Sequence, residues 1–469
     1  MQIPFDNTYV QLPDEMYHRQ IAEAASSPEL VAWNDALAAE LGIQGGTEAE
    51  KTAVFGGNQV PEGGEPLAQL YAGHQFGHYN PQLGDGRALL LGEVVDTHGR
   101  RRDIQLKGSG RTPFSRGGDG RAWVGPVIRE YIVSEGMHAL GVPTTRALAA
   151  VTTGDLVYRE RALPGAVLTR VAASHIRVGT FQVLAERQRY DLLEALYEYT
   201  VQRHYPEATS PVELVAHVAA KQAELVAQWM GYGFIHGVMN TDNCTLSGET
   251  IDYGPCAFQD RFDLAKVFSS IDHHGRYSYS SQANIIVWNM AQLANALVPL
   301  MPSPEAAVPE FQQVISHMQR QVAQAWQLCF ARKLGISDPE ETDAGLIESL
   351  LQLMHRFDLD FTNTFHALTT GTLDAYAKQA SGLTDWLRRW ETRVAPLNPE
   401  PVMRGVNPWI IPRNHQVERA IQAAVDGDFT IMHRMVDAVT QPFDLNERFR
   451  EFSIAPEPGE EVTVTFCGT

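Results

Sequence analysis

Residues 236–254 read HGVMNTDNCTLSGETIDYG, directly after an amphipathic run, PVELVAHVAAKQAELVAQWMG (211–231), that predicts a helix with Pro211 in its first turn. His236 and Asn243 bracket a polar loop, and Asp252-Tyr253-Gly254 begins nine residues after Asn243. Between them, a CTL run, a Ser247-Gly248 turn and TI predict a tight hairpin whose ends bring Asn243 beside Asp252. An amide oxygen and a carboxylate so placed can share one hard cation. Mg²⁺ takes few protein ligands and fills its shell with phosphate oxygens and water.

Upstream, QLK (105–107) ends a β-type run and Glu130 lies on a following helix pattern. A strand lysine, a helix glutamate, a loop H-x-x-x-x-x-x-N and then D-[FY]-G is the order in which protein kinases grip nucleotide phosphates and their metal. Taken alone, Lys107 is an ordinary edge lysine; the order gives it a task. One position departs from that pattern. The third loop residue, where a kinase has the Asp that accepts the substrate proton, is Val238. An isopropyl group accepts no proton, so the base falls to Asp242, whose plainer reading is an Asx-turn residue.

Around this stretch the chain changes texture. Residues 1–60 hold a predicted helix, PELVAWNDALAAELG (28–42), and Gly-rich connections, and read as an N-terminal extension. Residues 61–180 carry the β-type runs RALLLGEVV, DIQLK, LVYRE and AVLTRVA, interrupted by one helix pattern at 124–140. Residues 181–300 are mainly helical and contain the polar loop; residues 301–469 are a further helical extension with an acidic tail. An α+β, protein-kinase-like fold follows, with a small β-rich lobe, a larger helical lobe and a ligand cleft between them.

Composition narrows the partners. With 37 Lys and Arg against 56 Asp and Glu, the net charge is −19, which argues against a nucleic-acid clamp. Four cysteines without a CxxC pair fit a reducing compartment. No signal-like or membrane-spanning run is seen, so the expectation is a cytoplasmic protein without a membrane partner. The absence of a heptad seam favours a monomer.

Three further segments point to phosphate. QLGDGRALLLGEV places Gly84, Gly86 and Arg87 at the start of a strand, where glycines let backbone N–H groups approach an anion. GSGRTPFSRGGDGRA (108–122) packs five glycines with Arg111, Arg116 and Arg121 and predicts a mobile cationic flap. LTRVAASHIRVGTF supplies Arg170 and Arg177, whose guanidinium groups suit phosphate oxygens. Other constellations are weaker. His74 and His78 have i, i+4 spacing but lack the Glu of a zinc helix, His273 and His274 are adjacent, and no G-x-S-x-G elbow is present.

With DNTYVQLP (6–13), YAGHQFGHYNPQLGDGRA (71–88), QLKGSGRTPFSRGGDGRA (105–122), LTRVAASHIRVGTF (168–181), HGVMNTDN (236–243) and IDYGP (251–255) in this order, the chain resembles the selenoprotein O family over nearly its whole length. The resemblance implies a kinase-fold protein nucleotidyltransferase. ATP lies reversed relative to a kinase, AMP passes to Tyr, Ser or Thr hydroxyls of proteins, and pyrophosphate leaves; bacterial members are also associated with UMP transfer from UTP with Mn²⁺. It implies that Lys107 contacts phosphate, oriented by Glu130, and that Gly84, Gly86, Arg87, Asp119, Gly120, Arg170 and Arg177 line the nucleotide site. Asn243 and Asp252 hold Mg²⁺ or Mn²⁺, and Asp242 accepts the proton. It also implies that Cys467, in the terminal CGT, forms a redox switch with a cysteine near the metal loop, Cys256 first and Cys244 second. Two other classes stay open on the residues themselves, a γ-phosphoryl kinase and a silent nucleotide-binding scaffold.

Overall fold

Alternation in the β-type runs sorts their side chains to two faces, and both faces are covered. The computed structural model describes residues 1–466. Its strands are β1 (Tyr17–Arg19), β2 (Glu29–Trp33), β3 (Leu67–Gln69), β4 (Gly73–Gln75), β5 (His78–Asn80), β6 (Ala88–Val95), β7 (Arg101–Lys107), β8 (Ala122–Trp123), β9 (Arg146–Tyr158), β10 (Ala162–Ala172), β11 (Phe234–Ile235) and β12 (Ala257–Phe258). The main sheet runs β1-β3-β6-β7-β10-β9-β2, with β8 on β10, and all its pairs are antiparallel.

The helices that matter for the site are α1 (Asp35–Glu40), α2 (Glu48–Phe55), α3 (Val124–Ala139), α4 (Val178–Glu186), α5 (Tyr190–His204), α6 (Pro211–Gly231), α7 (Gln282–Leu297), α8 (Pro304–Lys333), α9 (Asp343–Arg356) and α10 (Phe361–Thr369). On one face of the sheet, Val127, Ile128 and Ile132 of α3 pack against Ala147, Ala166 and Leu168. The outer side of α3 is covered in turn by the helices Asn414–Val425 and Thr430–Val439. On the other face, Ile104, Leu106, Val167 and Val171 pack with Leu37, Val54 and Phe55 of α1 and α2. Register places Arg170 opposite Gln105 and Leu168 opposite Lys107, so Gln105, Lys107 and Arg170 share the α3 face. The rest of the chain is largely helical, with α6 packed between α7 and α8.

The structure corrects two local expectations. The helix predicted over 28–42 is a strand, β2, followed by the short α1. β2 pairs with β9, and the side chain of Asn34 accepts from Leu37 N at 3.0 Å to start α1. Pairing with an open sheet edge outweighs the helical propensity of Glu29, Leu30 and Ala32. The hairpin expected between Asn243 and Asp252 is instead a tight turn whose arms pair outward. Leu246 N donates to Ile176 O at 2.9 Å, and Thr250 N donates to Pro143 O at 2.9 Å. Among the described residues no helix is long and apolar enough to cross a membrane.

Candidate active site

Three elements deliver cations to one carboxylate. Lys107, the last residue of β7, donates from Nζ to Glu130 Oε2 on α3 at 2.6 Å and to Asp252 Oδ1 at 2.8 Å. From the neighbouring strand, Arg170 donates to Glu130 Oε1 through Nε at 2.8 Å and to Asp252 Oδ1 through Nη2 at 2.6 Å. Arg177, just before α4, donates from Nη1 to Asp242 O at 3.1 Å and lies 3.7 Å from Asp252 Oδ2, its guanidinium over the Tyr71 ring. Arg170 is 1% exposed and Glu130 3%. Burial alone would raise both carboxyls, but Arg170 and then Lys107 outweigh it and hold Glu130 below, and Asp252 well below, the usual range. Asp252 takes a left-handed φ of 62°, a conformation held by these contacts on its side chain.

The polar loop presents its groups at the bottom of the same cleft. His236 is fully buried, its ring Nε2 against Ile251 O at 2.8 Å, and Val238 is buried too. Asn243 donates from Nδ2 to Val238 O at 3.0 Å, which commits the amide nitrogen and leaves Oδ1 to act as an acceptor. Asp242 accepts from Gln75 Nε2 at 3.1 Å on Oδ2, while its buried Oδ1 has no partner among the described residues. Burial pushes its pKa up to about 6. Gln75 belongs to the β4–β5 hairpin, which lies across the loop: His74 N donates to Thr241 Oγ1 at 2.7 Å and Phe76 N to Asn240 Oδ1 at 3.2 Å. The His74 and His78 motif is therefore a clamp on the loop.

The opposite wall is the glycine- and arginine-rich flap. Gly84, Gly86, Arg87, Asp119 and Gly120 line the same cleft, of about 610 Å³, as Lys107, Arg170, Arg177, Asp242, Asn243 and Asp252. The glycines serve differently from expectation. Gly84 N–H already donates to Tyr71 O and Gly86 N–H to Gly84 O. A Cβ on Gly84 would meet the Phe114 ring at 2.4 Å, so this glycine admits the flap rather than an anion. Of the flap arginines, Arg116 and Arg121 line the cleft and Arg111 does not.

Two charged lining residues escaped the sequence reading. Arg159, at the β9–β10 turn, grips Asp119 through two bonds of 2.7 and 3.1 Å; its place in LVYRE marked only a strand. Asp85 is 2% exposed, accepts from Gln69 N at 3.0 Å and lies 3.9 Å from Arg177. An Asp flanked by two glycines was its signal. Cys244 and Cys256 are buried, and Cys467 lies outside the described residues.

Asn243 Oδ1 and Asp252 Oδ2 suit a divalent cation. The first is freed by the bond of its own amide nitrogen, and the second has Arg177 no nearer than 3.7 Å. Among the described residues no cluster of three or more His, Cys, Asp or Glu forms a metal cage.

The family model described as "Protein adenylyltransferase SelO" matches residues 1–440. The chain belongs to the SelO family. Among relatives, the protein named "Protein nucleotidyltransferase YdiU" from Ruegeria sp. (strain TM1040) is 54% identical over 470 residues, covering 100% of both chains. Proteins of the same name from Roseobacter denitrificans and Rhizobium meliloti are 54% and 50% identical, each over 99% of both chains. As a SelO-family member the chain is a protein nucleotidyltransferase, with a nucleoside triphosphate as donor and proteins as acceptors.

Proposed function

We propose that the chain folds as a kinase-like pair of lobes and transfers AMP from ATP to hydroxyl side chains of proteins, with pyrophosphate as the leaving group. The observation that carries this is the convergence of Lys107, Arg170 and Arg177 on Asp252 in a buried crevice. A kinase neutralises a transferring γ-phosphate mainly with metal ions and one lysine. Three cations at the closed end suit a leaving pyrophosphate, whose charge grows as the bond to the α-phosphorus breaks. In this reading the outer phosphates lie inward on these three side chains, and Glu130 fixes the approach of Lys107 and Arg170. Asp242, held by Gln75, takes the proton of the acceptor hydroxyl. Asn243 and Asp252 would hold Mg²⁺ or Mn²⁺, which when bound adds positive charge beside the phosphates.

Incubation with ATP labelled separately at the α and γ positions tests the reading. α-Label on acceptor protein is expected. γ-Label would make the chain a kinase, and binding without transfer a silent scaffold. UTP in parallel decides whether UMP is also transferred.

We also propose that Cys467 forms a regulatory disulfide with Cys256. The position of Thr465 supports this partner, because it donates from Oγ1 to Pro255 O at 2.6 Å, one residue before Cys256.

A further inference from the structure

A second cleft, also of about 610 Å³, lies between α6 and the C-terminal half of α8 and shares no lining residue with the nucleotide site. Lys333, the last residue of α8, lines it while being only 3% exposed. Its ammonium makes no hydrogen bond or ion pair with any described residue. It lies instead over aromatic faces, 4.5 Å from Phe365, 5.3 Å from Tyr232 and 5.7 Å from Phe361. A lysine at a helix end ordinarily serves the last carbonyls. Here they are served by others. Leu334 N reaches Phe330 O, Ile336 N reaches Ala331 O, Gly335 N reaches Arg332 O, and Asn407 Nδ2 reaches Lys333 O at 2.8 Å.

A buried charge with no counter-ion is costly, and in a chain with 56 acidic residues the missing partner is notable. Glu224 is the one acidic residue lining the cleft, and it is exposed at the rim. The amine responds as an unpaired group should, with burial drawing its pKa down to about 7. Gln228 lines the same space and its buried Oε1 has no partner among the described residues; turned about its amide, it would offer N–H groups instead. The walls carry apolar strips, Ala220, Ala223 and Ala227 on α6 and Ala325 and Leu328 on α8, with Gln321, Gln324 and the exposed Arg332 beside them.

We infer that this cleft binds a monocarboxylate with an apolar tail, its carboxylate on Lys333 and its hydrocarbon along the alanine walls. A free phosphate fits less well, since it needs several converging donors and gains nothing from alanine walls. The inference does not depend on the nucleotide reading and fails or stands separately.

Equilibrium dialysis of labelled octanoate against the full-length protein tests it. Saturable binding at one site is expected, about tenfold weaker in Lys333→Met because a charge-assisted hydrogen bond is lost. Ala220→Phe, which narrows the cleft without touching Lys333, is expected to abolish binding. Unlabelled octanoate should displace the label where 1-octanol and inorganic phosphate at the same concentration do not. Absence of saturable binding at millimolar octanoate would overturn the inference, and so would wild-type affinity in Ala220→Phe. Displacement by octanol would reduce the site to an apolar crevice, and displacement by phosphate to a general anion site; either overturns it. If Lys333→Met does not fold, Ala220→Phe and the competitors still decide.

Discussion

Asp252 is held in place by the same cations that, in the proposed reading, serve the donor. With Lys107 and Arg170 both on its Oδ1, the carboxylate and the phosphates compete for two side chains. Asp252→Ala is therefore expected to abolish metal-dependent transfer while leaving metal-free triphosphate binding intact or stronger. Lys107→Ala should weaken triphosphate binding itself. Titration calorimetry with and without the divalent ion separates the two, and retained transfer in both variants would remove the proposed site. Asp242→Asn keeps the shape of the loop but loses the proton acceptor. Its transfer rate is expected to fall about 10²–10⁴-fold with donor affinity unchanged, and a wild-type rate would reassign the base. Lys333 gives a different residue-scale prediction. Burial draws its pKa down to about 7 in the fold, against about 10.4 in the unfolded chain. Between these values the unfolded chain holds a proton that the folded chain has released, so stability rises with pH there. From pH 7 to 9 the wild type should gain about 2–3 kcal/mol on Lys333→Met, measured by urea unfolding; parallel curves would refute the depressed amine.

At the scale of elements, the β4–β5 hairpin is the part of the site with no counterpart in the kinase spacing. It packs so closely on the loop that a Cβ added at Gly73 would meet Asp242 Oδ1 at 2.3 Å. Gly73→Ala is expected to displace the Asp242 carboxylate and slow transfer by about tenfold or more, with donor affinity, measured by calorimetry, nearly unchanged. A normal rate would show that the hairpin does not position Asp242. This element also marks where sequence reading stopped. Lys107, Glu130, Asn243 and Asp252 were legible because a strand end, a helix face and a loop spacing fix each of them locally. The clamp was not, since Gln75 and Asp242 are 167 residues apart and no local pattern pairs them. β2 was misread for a related reason: its conformation is set by the edge of β9, which nothing within residues 28–42 announces. Arg159 is similar, because its meaning lies in Asp119 across the cleft.

At the scale of the whole molecule, the C-terminal segment returns beside the loop that follows Asp252. Thr465 forms an isolated β-bridge with Ser269, beyond that loop. Thr465 N donates to Phe268 O at 2.7 Å, Ser270 N donates to Thr465 O at 3.0 Å, and Thr465 is itself 2% exposed. Cys467 lies outside the described residues, and the contact of Thr465 with Pro255, next to Cys256, is what motivates the proposed bond. Burial does not separate the two candidates, since Cys244 and Cys256 are both buried; the Pro255 contact is what favours Cys256. A bond to Cys256 would tether the tail four residues beyond Asp252 and restrain the loop there, slowing turnover if product release needs the loop to move. Oxidation of the full-length protein with glutathione disulfide is thus expected to link the peptides of residues 256 and 467 in a non-reducing digest. It should also slow transfer, reversibly with a thiol, in the wild type but not in Cys256→Ser. A link from 467 to 244, or equal rates for the oxidised and reduced forms, would sink the switch while leaving the nucleotide site standing.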